Sequence, residues 1–225
     1  MIQIAIDGPS GAGKSTLAKM LSKKLGYVYV DTGALYRAVG LFCERAGIDK
    51  DDRTGIIAAL SCISISLAHN GESQRVFLGG EDVSEKIRTP SISDWASTVS
   101  AIGEVRAFLL DTQRKIAREN NVIMDGRDIG TVILPNADVK IFLVSSPTAR
   151  AKRRRLEYIE KGIDISLEET VRVMAERDER DSSRELAPLK AADDAVYLDN
   201  SDMTIDEMLD AALAIIKSKT AVKEG

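Results

Sequence analysis

The sequence predicts an α/β fold, a five-stranded parallel sheet flanked by helices, with a small antiparallel insertion. Three observations carry that expectation. Five short apolar runs, at residues 2–7, 27–31, 122–125, 139–144 and 195–199, alternate with helical stretches, the pattern left by buried parallel strands joined through crossover helices. The first run passes straight into Gly8-Pro9-Ser10-Gly11-Ala12-Gly13-Lys14-Ser15, a complete GxxxxGK[ST] between strand and helix, which marks a phosphate-binding P-loop. Between residues 60 and 90 the apolar period changes to two, which fits antiparallel strands rather than another βα unit.

Each element has its own signal. After the glycine-rich loop, Leu17, Met20, Leu21 and Leu25 recur at helical spacing and predict a helix packed on the sheet. In the insertion Ile63, Ile65 and Leu67 alternate with small polar residues, His69-Asn70-Gly71-Glu72-Ser73 predicts a turn, and Arg75-Val76-Phe77-Leu78 completes a hairpin. His69, the sole histidine, is expected to be solvated in that turn, a poor place for a catalytic base. Trp95, the sole tryptophan, is expected to pack in the core. Ser146-Pro147 fits a helix start, Ser166 with Glu169 a capping box, and Thr204 with Glu207 another. The last of these opens a helix whose apolar face is Ile205, Met208, Leu209, Ala212, Leu213 and Ile216, followed after Ser218 by a short polar tail expected to fray.

With 225 residues, 44% of them hydrophobic, the chain can bury one substantial core. The expectation is a single domain over residues 1–225 that contains the insertion (60–90) and a lid region (148–187). Lysine and arginine number 31 against 35 aspartates and glutamates, a net charge of −4, which argues against a protein that coats nucleic acid. Cys43 and Cys62 lie in apolar contexts without metal-ligand spacing and are expected to be small buried hydrophobes in a reducing cytoplasm. No leader pattern or run of membrane-spanning length is present, so a cytoplasmic protein without a membrane partner is expected.

The glycine-rich loop presents backbone N–H groups and a helix N-terminus to phosphate oxygens. Lys14 supplies a mobile charge for the β- and γ-phosphates, and the Ser15 hydroxyl is the expected Mg²⁺ ligand. A switch GTPase would carry a guanine-reading NKxD, which the chain lacks. Instead, Asp31 and Arg37 follow the second parallel strand, and Asp125-Gly126-Arg127-Asp128 follow the third. In such sheets the carboxyl ends of the strands form the ligand crevice. On the helix after Ser166 the face of Leu167, Val171 and Met174 continues as Arg177, Asp181 and Arg184. Charges where a pattern predicts core call for a partner, and a ligand with phosphate and hydroxyls explains them better than a buried salt bridge. Arg150, Arg153 and Arg154 share a face of the preceding helix and suit a lid over a triphosphate. A site rich in arginine and poor in bases fits phosphoryl transfer to an acceptor that is already an anion, with Asp31 available as a base for an alcohol.

Over nearly its whole length the chain resembles the bacterial cytidylate kinases among the nucleoside monophosphate kinases. IDGPSGAGKS, DTGALYR, GEDVSEKIRTP, DGRDIGTVILPNADVKIFL and ERDERDSSRELAPL occur in family order, and the insertion is itself a family feature. The resemblance implies transfer of phosphate from ATP to CMP, with dCMP a further acceptor, Mg²⁺ as cofactor and a monomeric enzyme. It implies that Arg37, Arg127 and Arg184 hold the acceptor phosphate, that Arg177 and Asp181 meet the sugar, and that Ser97, Arg106 and Asp128 read cytosine. That last set complements the amine, ring nitrogen and carbonyl of the base. Asp31, Thr32, Tyr36 and Gly126 complete the expected acceptor site. Residues Gly8 to Thr16, including Thr16 itself, together with Arg150 and Arg154, form the expected ATP site. Lys14, Arg37, Arg127 and Arg154 are the expected catalytic residues, and Asp125 resembles the carboxylate that helps hold Mg²⁺ through water. The expected strand order is 2-3-1-4-5, counting parallel strands alone. Two alternatives stay open, a kinase for another small acceptor and an ATP-binding switch protein.

Overall fold

The structure, a computed structural model, describes residues 1–70, 73–160 and 162–221. Its main sheet contains β1 (Gln3–Asp7), β2 (Val28–Asp31), β6 (Val122–Gly126), β7 (Val139–Val144) and β8 (Val196–Asp199), all parallel, in the order β2-β6-β1-β7-β8. The labels differ from the expected ones because three insertion strands intervene in the chain. Counted among parallel strands alone, the order is 2-3-1-4-5. The apolar runs become strands because both faces of the sheet are covered: Ile4 and Ile6 point to one side, Ala5 to the other, and all three are wholly buried.

Helices α1 (Lys14–Leu25) and α8 (Ile205–Ala221) cover one face, where Leu17, Leu21, Met208, Ala212 and Ile216 meet Ile4, Ile6, Ile123 and Ile141. The opposite face packs Ala5, Val30, Val122 and Met124 on the helical turn Ile129–Ile133 and on Ala117 of α5 (Gly103–Glu119). A further cluster joins α2 (Thr32–Arg45), α4 (Pro90–Val99) and α5 to the insertion, with Trp95 buried in it as expected. The short α3 (Arg53–Ala59) leads into the insertion. α6 (Pro147–Glu160) and α7 (Leu167–Ser183), in the stretch expected to act as a lid, pack on each other. Among the described residues no helix is long and apolar enough to cross a membrane.

The insertion is a three-stranded antiparallel sheet, β3 (Ile65–Asn70), β4 (Ser73–Leu78) and β5 (Glu81–Asp82), not a two-stranded hairpin. Gly79 and Gly80, with φ of 58° and 86°, reverse the chain just after β4 and let Glu81 and Asp82 pair back on it. Of the expected turn, Gly71 and Glu72 lie outside the described residues. His69 is exposed but belongs to β3, paired with Gln74, because the strand runs on to Asn70. Cys43 is buried as expected, whereas Cys62 is exposed on a single helical turn, Leu60–Cys62, of which only Leu60 packs against the core. The Thr204–Glu207 capping box forms in both directions: Glu207 N–H donates to the Thr204 hydroxyl at 3.2 Å and Thr204 N–H to the Glu207 carboxylate at 2.8 Å. Ser166 Oγ accepts from Glu169 N–H at 3.0 Å. α8 runs past Ser218 to Ala221, and residues 222–225 of the expected tail lie outside the described chain.

Candidate active site

Parallel register brings the C-terminal ends of the strands abreast, Asp31 beside Asp125 and Asp125 beside Ile6, and places their charged residues at one edge of the sheet. From there the glycine-rich loop enters α1. A Cβ on Gly8 would stand 2.1 Å from the Leu143 carbonyl oxygen, so only glycine lets the loop pass β7. Gly13 caps α1 at φ 93°, which turns the first N–H groups of the helix towards the cleft. The loop frames a cleft of about 830 Å³.

Most of the expected site lines that cleft. On the loop side are Ser10, Gly11, Gly13, Lys14, Ser15 and Thr16. Facing them are Asp31, Thr32, Tyr36 and Arg37 from β2 and α2, Asp125 and Gly126 from β6 with Arg127 and Asp128 just beyond it, and Ser97 and Arg106 from α4 and α5. Arg154, Arg177, Asp181 and Arg184 close it from α6, α7 and the segment beyond. Gly8, Pro9 and Ala12 lie behind the lining. The Pro9 carbonyl accepts from Lys14 Nζ at 2.8 Å and the Ala12 carbonyl from Asn200 Nδ2 at 2.8 Å.

Arg150 takes a different place from the expected one. It is buried beneath the loop, where its guanidinium donates to the carbonyls of Ser10 (2.9 Å) and Ser145 (3.1 Å) and to the Asp178 carboxylate. Asp178 in turn accepts from Ser10 N–H at 3.1 Å. Arg150 therefore holds the loop and does not face the cleft. It is buried because it points back from the first turns of α6, while Arg153 and Arg154 on the same helix do line the cleft. Arg153 donates to the Asn200 carbonyl at 2.9 Å, and Arg154 pairs with Glu157 at 2.7 Å.

The cations repel one another. Burial, then the Arg127 guanidinium, holds Lys14 well below the usual lysine range. The same two causes bring Arg177 down to about 10, and burial lowers Arg184. The buried Nε atoms of Arg37 and Arg177 have no hydrogen-bond partner among the described residues. Binding an anion relieves both the repulsion and the unmet donors.

Carboxylates are interleaved with these groups. Arg37 pairs with Asp31 at 2.6 Å, Arg127 Nε with Asp181 at 2.9 Å, and Arg106 with Asp128. Burial opposes ionisation of Asp31, yet Arg37 prevails and its pKa falls. At Asp128 burial prevails over Arg106 and the pKa rises. Asp125, pushed up to about 6 by burial and by Asp31, accepts from Ser15 Oγ at 2.8 Å and Tyr29 OH at 2.9 Å. Thr32 Oγ1 is engaged with the Asp125 carbonyl at 2.8 Å, so Thr32 ties α2 to β6.

Several participants carried no usable sequence signal. Ser100 accepts from Arg184 at 2.9 Å and, through its carbonyl, from Arg106 at 3.2 Å. Asp7 accepts from Ile129 and Gly130 N–H, each at 2.8 Å, and anchors the turn that follows Asp128. Asn200 lies four residues before its capping threonine and reads as an ordinary loop residue. Asp7 and Asp178 do lie in the motifs IDGPSGAGKS and ERDERDSSRELAPL, but neither motif assigns them these partners.

The pattern that describes the cytidylate kinase family matches residues 4–218. The chain belongs to the cytidylate kinase family. A cytidylate kinase of Geobacter sp. (strain M21) is 49% identical over 97% of this chain and 94% of its own length. One from Caldicellulosiruptor bescii is 48% identical over 95% of each. Among solved structures, an uncharacterized protein from Eubacterium ventriosum ATCC 27560 is similar in fold at a TM-score of 0.52, with 14% identity and 96% and 98% of the two chains covered. As a cytidylate kinase family member the chain is a phosphotransferase of the nucleoside monophosphate kinase kind, with ATP as donor.

Proposed function

We propose that the chain catalyses ATP + CMP ⇌ ADP + CDP and accepts dCMP in the same site. The observation that carries this reading is a single cleft in which Lys14 and the P-loop face Arg37, Arg127, Arg177 and Arg184, the Nε atoms of Arg37 and Arg177 being buried and unpartnered. Such a cleft suits two anionic phosphates brought end to end.

In the forward reaction an oxygen of the CMP phosphate attacks the γ-phosphorus of ATP and the bond from that phosphorus to the β–γ bridging oxygen breaks. The dianionic acceptor gives up no proton, so the site works by alignment and charge dispersal rather than by a base. Lys14 and the loop N–H groups hold the donor phosphates, with Arg154 reaching from the lid. Arg37, Arg127 and Arg184 hold the acceptor phosphate, with Arg37 and Arg127 also taking charge as it develops. Arg177 and Asp181 meet the ribose. Ser97, Arg106 and Asp128 read the base, aided by Tyr36, whose ring lies under Arg106 at 5.7 Å. Arg150 acts through the loop backbone.

Ser15 and Asp125 fit a Mg²⁺ ion. They offer two hard oxygens 2.8 Å apart beside the loop, one on a buried carboxylate that burial and Asp31 push up to about 6 despite the nearby Lys14, so that a divalent cation there would relieve it. When bound, the ion supplies charge neutralisation across the donor phosphates. Closure of α6 and α7 shields the reacting groups from water, which would otherwise accept the phosphoryl group. The net charge of −4 favours small nucleotides over nucleic acid as partners, and the working unit is a cytoplasmic monomer without a membrane partner. The test is ADP formation with Mg·ATP and each common nucleoside monophosphate in turn. CMP and dCMP should be used best, UMP poorly, and ATP turnover without an acceptor should be negligible. Equal use of AMP or UMP, or acceptor-independent ATPase activity, would overturn the reading.

A further inference from the structure

β2 is an edge strand of the main sheet, with β6 on one side only. At its C-terminal end the backbone of Asp31 is nevertheless paired on the open side, and the partner is a side chain. The amide of Gln74 accepts from Asp31 N–H at 2.8 Å and donates to the Asp31 carbonyl at 3.2 Å. One primary amide thus does for Asp31 what a neighbouring strand would do, over a sequence separation of 43 residues. Gln74 is on β4 of the insertion, on the same face as Val76 and Leu78, which are 2% and 7% exposed and anchor the insertion in the cluster shared with α2.

Asp31 is where this contact gains leverage. Its carboxylate caps α2 by accepting from Ala34 N–H at 3.0 Å and pairs with Arg37 at 2.6 Å. An error in the Asp31 backbone is therefore passed to the start of α2 and to the Arg37 guanidinium. No comparable link joins Gln74 to the phosphate-binding loop among the hydrogen bonds of the described residues. We infer that Gln74 is a positioning residue for the acceptor side of the site, by which the insertion sets Asp31 and, through it, Arg37. The inference rests on the acceptor role of Arg37 proposed above.

The test is steady-state kinetics of Gln74→Met and Gln74→Ala, using whichever monophosphate proves the best acceptor of the unaltered protein, so that a failure of the CMP reading is seen separately in the acceptor panel. Met keeps the length and bulk of Gln without its amide. Both variants should raise the KM of the acceptor about tenfold, as expected for loss of a partly buried pair of hydrogen bonds, and leave the KM of ATP within twofold. Arg75→Ala, on the exposed face of the same strand, should leave both constants unchanged. In an Arg37→Ala background, Gln74→Met should have little further effect on acceptor KM, since its route is already cut. The inference is overturned if Gln74→Met matches the unaltered protein, if the KM of ATP rises as much as that of the acceptor, or if the Gln74 and Arg37 effects simply add.

Discussion

Two buried carboxylates at the end of the sheet show how one residue type serves different ends. Asp128 lines the cleft and is paired with Arg106, while Asp7 lies behind it and accepts two backbone N–H groups. In the base-reading role proposed for Asp128, Asp128→Ala removes a hydrogen-bond acceptor matched to the cytosine amine, and it leaves Arg106 without its carboxylate. Acceptor KM should rise by about 10- to 100-fold with the KM of ATP nearly unchanged; equal effects in the two saturation curves would remove Asp128 from base reading. Asp7 makes a prediction in pH. Burial raises its pKa to about 6 from an ordinary 3.8, so between those values the folded protein binds the extra proton and the unfolded chain does not. Stability from this group is thus present below pH ~4 and is lost as pH rises through ~6, a change of about 3 kcal/mol. Asn at position 7 cannot titrate. The stability of the unaltered protein relative to Asp7→Asn should therefore fall by that amount between pH 4 and pH 7 in urea denaturation, and a constant difference would refute it.

At the scale of elements, contacts between helices and loops decide where the arginines point. α2 and α4 approach closely because position 40 is glycine: a Cβ there would lie 2.6 Å from Trp95 Cβ. Gly40→Ala should destabilise the protein by about 1–3 kcal/mol through forced separation of the two helices, measured as a lowered urea midpoint. A gain in stability, as for alanine in an unconstrained helix, would contradict the packing account. The grip of α6 and α7 on the phosphate-binding loop gives a second prediction. Asp178 and Arg150 together occupy both the N–H and the carbonyl of Ser10. Asp178→Ala frees that N–H and leaves Arg150 without its carboxylate, so the KM of ATP should rise about tenfold while the acceptor KM stays within twofold. The opposite pattern in the same assay would place the clamp on the acceptor side. Local elements were well anticipated where the signal was local: the capping boxes at Ser166 and Thr204 and the apolar faces of α1 and α8 depend on residues three or four apart. β5 was missed because Glu81 and Asp82 have no strand signature and pair only because Gly79-Gly80 returns them to Phe77 and Leu78. Cys62 was misjudged because an apolar neighbourhood in sequence does not say which side of a single helical turn meets the core.

The whole molecule divides into a dry centre and a wetter rim. β1, β6 and the start of β7 are almost wholly buried, whereas α6 contributes just Arg150 and Ala151 to the interior and α7 just Thr170, Met174 and Asp181. Amide hydrogen exchange should accordingly be slowest in β1 and β6 and fastest, among helices, in α6 and α7. If α6 and α7 close over the substrates as proposed, addition of ATP and CMP together should slow exchange in them more than in α8, which is already packed on the sheet. Uniform slowing of all helices would count against lid closure as the response to substrates.

Much of this protein was legible in the chain itself. The glycine-rich loop between strand and helix, the five buried runs and the charged stripe on α7 each follow from local chemistry: nests require glycine, buried strands require apolar residues, and charges on a core face require partners. What the tertiary structure alone decided is which partner each charge meets. Arg150 and Arg154 stand four residues apart on one helix, yet one grips the loop from below while the other reaches the cleft. Gln74 closes the edge of a sheet to which its own strand does not belong. Partnerships of this kind depend on distances between elements far apart in the chain, and those distances are set by packing, which leaves no period or motif in the residues concerned.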